Sequence, residues 1–126
     1  MPKSTPARKK AVRALVLKRD GNKCQRCGVD VTYRLASIQH RRPRGVGGSA
    51  LVDVASNLVL VCGSATTPGS CHNWMEHEDR TTANYEGWLI AKLSQVHPSN
   101  VPLLTIHGWV LLTDDGDRIP YISGVA

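Results

Sequence analysis

The sequence predicts an α+β domain with an N-terminal helix, a metal knuckle, a central pair of short strands leading into a helix, and strands at the C-terminal end. Three observations carry this. Cysteines stand as Cys24-x2-Cys27 and Cys62-x8-Cys71, a helical spacing of apolar residues precedes the first pair, and Val101 to Ile122 alternates extended runs with turn residues. A chain of 126 residues is expected to be one domain, 1–126, since domains usually run to about 100–200 residues. It has no Phe and is 5% aromatic. Its core must come from Val, Leu, Ile and three Trp, so a structural metal would help hold it.

Residues 1–6 are polar and Pro-rich, which predicts a disordered arm. Pro6 to Asp20 reads as an amphipathic helix, with Thr5 suited to the N-cap, Pro6 to the first helical position and Gly21 to the C-terminal stop. Ala11, Ala14, Leu15, Leu17 and Lys18, widened by Val12 and Val16, form its expected inner face; Arg8, Lys9, Arg13 and Arg19 form a basic outer one. In the knuckle from Cys24 to Gly28, the glycine lets the backbone turn back. Val31 to Tyr33 and Ala36 to His40 are expected as short strands, His40 ending the second. Arg41 to Ser49 holds Pro43, Gly45, Gly47 and Gly48, the composition of an exposed loop. Leu58 to Val61 is a buried strand. Helices are expected over Cys71 to Arg80 and, from Tyr85, Trp88, Leu89, Ala91, Leu93 and Val96, over residues 82–96, ended by His97-Pro98. Val101–Leu104, Gly108–Thr113 and Arg118–Ile122 read as strands, with a turn at Asp114–Asp117.

Charge is unevenly placed. Residues 1–44 hold 13 of the 16 Lys and Arg with only Asp20 and Asp30 as acids, a net +11, whereas residues 45–126 hold three basic and eight acidic residues, a net −5. Such a basic segment is the footprint of a polyanionic partner, with a solvated tail as the alternative. No apolar run reaches the roughly 18 residues that span a bilayer, and the start lacks the apolar stretch of a secretion signal. An intracellular protein with no membrane partner is therefore expected, in which cysteines serve as thiolate ligands rather than disulfides.

Cys24, Cys27, Cys62 and Cys71 make a four-thiolate set suited to zinc, with four buried free thiols as the alternative. The eight residues between Cys62 and Cys71 exceed the usual two to four, so Gly63 to Ser70 must loop out before the chain returns. Four protein ligands leave no open position for water, which makes the role of that ion structural.

Between and beside these cysteines stand His40, Asn57 and His72. The stretches Gln39-His40-Arg41-Arg42-Pro43-Arg44-Gly45, Asn57-Leu58-Val59 and Cys62-Gly63-Ser64…Cys71-His72-Asn73-Trp74 resemble the small HNH endonucleases of bacteriophages, over residues 11–80. The resemblance implies a His-Me finger (ββα-metal) core at 11–80, with the helix and strands read above as an extension at 82–126, and hydrolysis of phosphodiester bonds in double-stranded DNA. It assigns His40 as general base, Asn57 as the residue that bonds backbone to hold the loop across from His40, and His72 as a ligand of a catalytic divalent cation (Mn²⁺, Ni²⁺ or Mg²⁺). Glu76, four residues on, shares that helical face; His77 is the substitute ligand. Gln39 stands where family members carry Asp or His as a ligand; its carbonyl oxygen can ligate the ion but carries no charge, which implies a weaker ion site or a relocated ligand. Arg41 and Arg42, with Arg44 as a third, are the expected phosphate contacts. Similarity to phage proteins also implies work beside the terminase in genome packaging, in the host bacterial cytoplasm. The rival reading is a zinc-ribbon DNA-binding or adaptor module that has lost its chemistry, a reading that Gln39 favours. An RNA-binding zinc protein would need exposed stacking aromatics, and the Trp residues read as core. His97 and His107 lie outside the constellation.

Overall fold

The computed structural model describes residues 4–43 and 52–122. Most of the expected glycine-rich loop, Arg44 included, and the first three residues of the expected arm lie outside that range. Helix α1 (Pro6–Asp20) leads to strand β1 (Ala36–His40), β2 (Leu58–Cys62), a short α2 (Cys71–Asn73) and α3 (Arg80–Tyr85), and the chain ends in β3 (Leu103–Thr105), β4 (Gly108–Leu112) and β5 (Arg118–Pro120). The architecture is mixed α+β, with a two-stranded sheet β1-β2 and a three-stranded meander β3-β4-β5. Among the described residues no helix is long and apolar enough to cross a membrane.

The ends of α1 are as the sequence predicts. Thr5 Oγ1 accepts from the Arg8 N–H at 3.1 Å, a cap worth about 1 kcal/mol, and Gly21, left-handed at φ 60°, returns its N–H to Leu17 O. Its inner face is not. Val16 and Asp20 are buried, Val12 and Leu17 partly so, while Ala11, Ala14 and Leu15 are exposed. A polar pair replaces the expected apolar residues: Arg19 grips the Asp20 carboxylate at 2.8 and 3.0 Å and donates to Ala55 O and Leu58 O, and Asp20 accepts the Leu60 N–H. Arg19, expected on the basic outer face, is thus a buried strut between α1 and β2.

The hairpin pairs Ala36 with Cys62 through His40 with Leu58. Successive side chains of a strand point to opposite faces. Ser37 and Gln39 reach the helix that follows, whereas Ile38 packs with Val12, Val16 and Leu58 on the α1 side. Val31 to Tyr33 forms no strand; only an isolated bridge, Lys23 with Asp30, precedes β1.

The single helix expected over Cys71–Arg80 is interrupted. After α2 the chain makes one π turn, Trp74–Glu78, closed by Asp79 N–H to Trp74 O at 2.9 Å; Asp79 then caps α3 through the Thr82 N–H. The helix expected over 82–96 stops at Tyr85. Gly87 takes φ +88°, where a Cβ would lie 2.0 Å from Pro102 O, and Trp88, Leu89 and Ile90 run on as a buried non-helical segment, Ile90 N–H bonding Arg41 O. Leu93 and Val96, which completed the helical pattern, are exposed. Tertiary burial has overridden periodicity there.

Residues 82–122 pack on the same core as the hairpin. Val59, Val61 and Met75 share one buried cluster with Trp88, Leu103, Val110 and Leu112. The meander also docks on the knuckle, since Ile106 N–H donates to Gln25 O and Arg118 Nη2 to Gln25 Oε1 and Arg19 O.

Candidate metal centre and active site

The four sulfurs of Cys24, Cys27, Cys62 and Cys71 lie within 4.8 Å of one another, with Cys27 and Cys62 at 3.9 Å. Tetrahedral bonds of about 2.3 Å demand edges of about 3.8 Å, so the set can hold a metal ion such as zinc. Two tight turns deliver it. Gly28 (φ +82°) reverses the knuckle with its N–H on Cys24 O at 2.8 Å. The long spacer folds on itself as expected: Ser70 Oγ donates to Thr67 O and accepts the Asn73 N–H, and Gly63 must be glycine because its Cβ would lie 2.1 Å from that of Ser70. Donors already face the sulfurs, the Cys71 N–H on Cys62 at 3.3 Å and Arg26 Nη1 on Cys71 at 3.4 Å, with the Arg26 guanidinium stacked 3.5 Å above the Trp74 ring. Without an ion the thiols compete for protons. A hydrogen bond from Cys71 lowers Cys24 to about 4; that same bond, aided by burial, pushes Cys71 up, and burial raises Cys62. A cation ends this competition by taking all four as thiolates.

One residue beyond Cys71, His72 enters a second setting. Ser37 Oγ donates its single hydrogen to Gly63 O at 2.8 Å and lies 2.5 Å from His72 Nδ1. A hydroxyl has one hydrogen to give, so both contacts are hydrogen bonds when Nδ1 carries the proton, the tautomer that leaves the Nε2 lone pair for a metal. Burial lowers the His72 pKa, which favours the neutral ligand form. Gln39 Nε2 donates to Glu76 Oε1 at 2.9 Å, and Arg80 approaches Glu76 Oε2 at 3.3 Å. Gln39, His40, Pro43, His72, Glu76 and Arg80 line one cleft of about 230 Å³. The structure therefore brings together the residues expected to hold a catalytic ion and act as its base; His77 is exposed.

His40 has a partner that sequence reasoning missed. Its Nε2 lies 2.9 Å from Oδ1 of Asp53, whose side chain is only 5% exposed. The available signal was that Asp53 is the single acidic residue between Asp30 and Glu76. Asn57 is fully buried and bonds backbone as expected, its Oδ1 accepting the Arg42 N–H at 2.8 Å and its Nδ2 donating to Arg42 O and Val52 O. It clamps the chain on both sides of the loop, next to His40 and next to Asp53.

The expected phosphate contacts need correction. Arg41 is wholly buried, and its guanidinium donates to Gly87 O, Ser56 O, Pro98 O and Val101 O at 2.7–3.2 Å. A side chain so enclosed meets no phosphate. Strand alternation places it: two residues after Gln39, it points inward. Arg42 is half-buried and donates to Val96 O.

No protein-family model, curated protein or solved structure matches this chain.

Proposed function

We propose that the chain is a metal-dependent HNH-type endonuclease that hydrolyses phosphodiester bonds of double-stranded DNA, with a structural zinc ion on Cys24, Cys27, Cys62 and Cys71. The observation that carries the reading is the hairpin-and-helix unit, which gathers His40, Gln39, His72 and Glu76 around one cleft. Two strands followed by a helix is the order that the resemblance implies for a His-Me finger core. With Nε2–H donated to Asp53, His40 keeps the Nδ1 lone pair to accept a proton from water. The resulting hydroxide oxygen bonds to phosphorus as the bond to the leaving deoxyribose oxygen breaks, and that oxygen takes up a proton from solvent water. A divalent cation on His72 and Glu76 would supply positive charge at that leaving oxygen. The resemblance to phage enzymes extends the proposal to genome packaging beside a terminase.

The test is cleavage of supercoiled plasmid with added Mn²⁺, Ni²⁺ or Mg²⁺, alongside His40→Ala. The parent is expected to nick or linearise the plasmid, and His40→Ala to lose about 10²–10⁴ in rate with its zinc content intact. Equal rates would remove His40 from the role of base. Mn²⁺ and Ni²⁺ should exceed Mg²⁺, because imidazole suits transition ions better than an ion that prefers an oxygen shell.

Ser37→Ala probes the ligand tautomer. Loss of the group that orients a metal-bound His typically costs about 10–100-fold in affinity, so the Mn²⁺ concentration giving half-maximal rate should rise by that factor while the rate at saturation changes little. An unchanged Mn²⁺ dependence would show that Ser37 does not orient a metal-bound His72. One observation favours the adaptor reading: Glu76 is engaged by both Gln39 and Arg80. That reading predicts DNA binding without cleavage under every ion.

A further inference from the structure

We propose that the cleft between α1 and β1 seats the sugar–phosphate backbone of the DNA strand next to the cut, with Lys9 and Arg13 as its phosphate contacts. That a cut lies beside this strand rests on the endonuclease reading; the binding does not. The cleft, of about 370 Å³, is lined by Lys9, Val12, Arg13, Ile38, His40 and Leu58, among others. Lys9 and Arg13 are four apart and so share one side of the helix. They stand about 6 Å apart along its axis, near the spacing of successive phosphates in a strand. Both are exposed, and among the described residues neither side chain makes an ion pair or hydrogen bond.

The rest of the basic segment narrows the choice. Arg19 and Arg41 have buried side chains engaged by Asp20 or by backbone carbonyls, so they are closed to a passing strand. Val12, Ile38 and Leu58 give the cleft an apolar floor, suited to the carbon face of deoxyribose. Asp53 also lines it, but its Oδ1 is bonded to His40, and two cations face that one carboxylate. Continuity supplies the last step. Ile38 and His40 line both this cleft and the one that holds His72 and Glu76, so backbone lying along α1 arrives at the expected base.

The test is fluorescence anisotropy of the zinc-loaded full chain with a labelled DNA duplex of about 30 base pairs, titrated across salt with no divalent ion added. Each phosphate contact contributes about 0.9 to the slope of log K against log salt. Lys9→Ala/Arg13→Ala should therefore flatten the slope by about 2 and, if the lines meet near 1 M, weaken binding roughly 60-fold at about 0.1 M salt. The control pair Lys18→Ala/Lys23→Ala removes equal charge outside the cleft and should change the slope by less than about 0.5. Parent-like affinity and slope in Lys9→Ala/Arg13→Ala would overturn the proposal. So would an equal loss in the control pair, or displacement of the duplex by polyglutamate as readily as by unlabelled DNA. Cleavage is read separately. A parent that leaves plasmid intact under every ion yet shows the expected slopes keeps the cleft and removes the endonuclease reading; a parent that cuts while the double variant binds normally does the reverse.

Discussion

Arg41→Ala is expected to cost the folded domain about 4 kcal/mol and to lower Tm by more than about 10 °C. The guanidinium bonds four carbonyls from three separate stretches, Ser56, Gly87 and the 98–101 turn. Hydrogen bonds to a charged group contribute about 1.5–3 kcal/mol each, and a buried carbonyl stranded without a donor costs about 1–3 kcal/mol. Partial relaxation and water entry keep the total well below the sum. Burial, and secondarily the charge of Arg19, lowers the Arg41 pKa to about 9, so the group is still charged at neutral pH and its four acceptors offset its desolvation. Total stability at this chain length is on the order of 6–19 kcal/mol, so the loss is a large share of it. Arg41→Lys keeps charge but not the planar fork, and should recover less than half. Urea and thermal denaturation of zinc-loaded protein would measure this; a Tm within about 3 °C of the parent would show that the four bonds matter little.

Cys71→Ser is expected to abolish zinc retention and to melt far below the parent. Metal analysis after exhaustive dialysis should find one zinc per chain in the parent and none in the variant. Zinc on thiolates contributes about 10–16 kcal/mol of apparent binding energy in small folding units; here a shared apolar core carries part of the load, so the variant should stay partly ordered while the knuckle and α2 come free. Protons compete with the ion for thiolates, so retention should weaken as pH falls. A folded parent without zinc, or a variant that melts with the parent, would sink the assignment.

Much of the centre was legible because its rules are local. Cysteine spacing, the Thr5 and Gly21 ends of α1 and the extents of β1 and β2 depend on neighbours in sequence. What escaped depends on distant chain. The Trp88–Ile90 stretch carries apolar residues at helical spacing, but its environment is set by Arg41 and Pro102, and Gly87 accommodates a close approach that no local pattern announces. Asp53 gains its meaning from His40, 13 positions earlier. Arg41 sits in a basic run whose charge suggested solvent, and only strand alternation after β1 turns it inward.

Strand β1 has a consequence for how the chain can evolve. Within five residues it sends Ser37 and Gln39 to one helix and Ile38 to the other, with His40 at its end against Asp53. Because the side-chain period is two, inserting or deleting a single residue there exchanges every assignment at once: His40 would lose Asp53 and Gln39 would lose Glu76. The spacer from Gly63 to Ser70, bonded mainly within itself, carries no such parity. Length variation among descendants of this chain should therefore accumulate in that spacer, while changes in β1 are confined to substitutions.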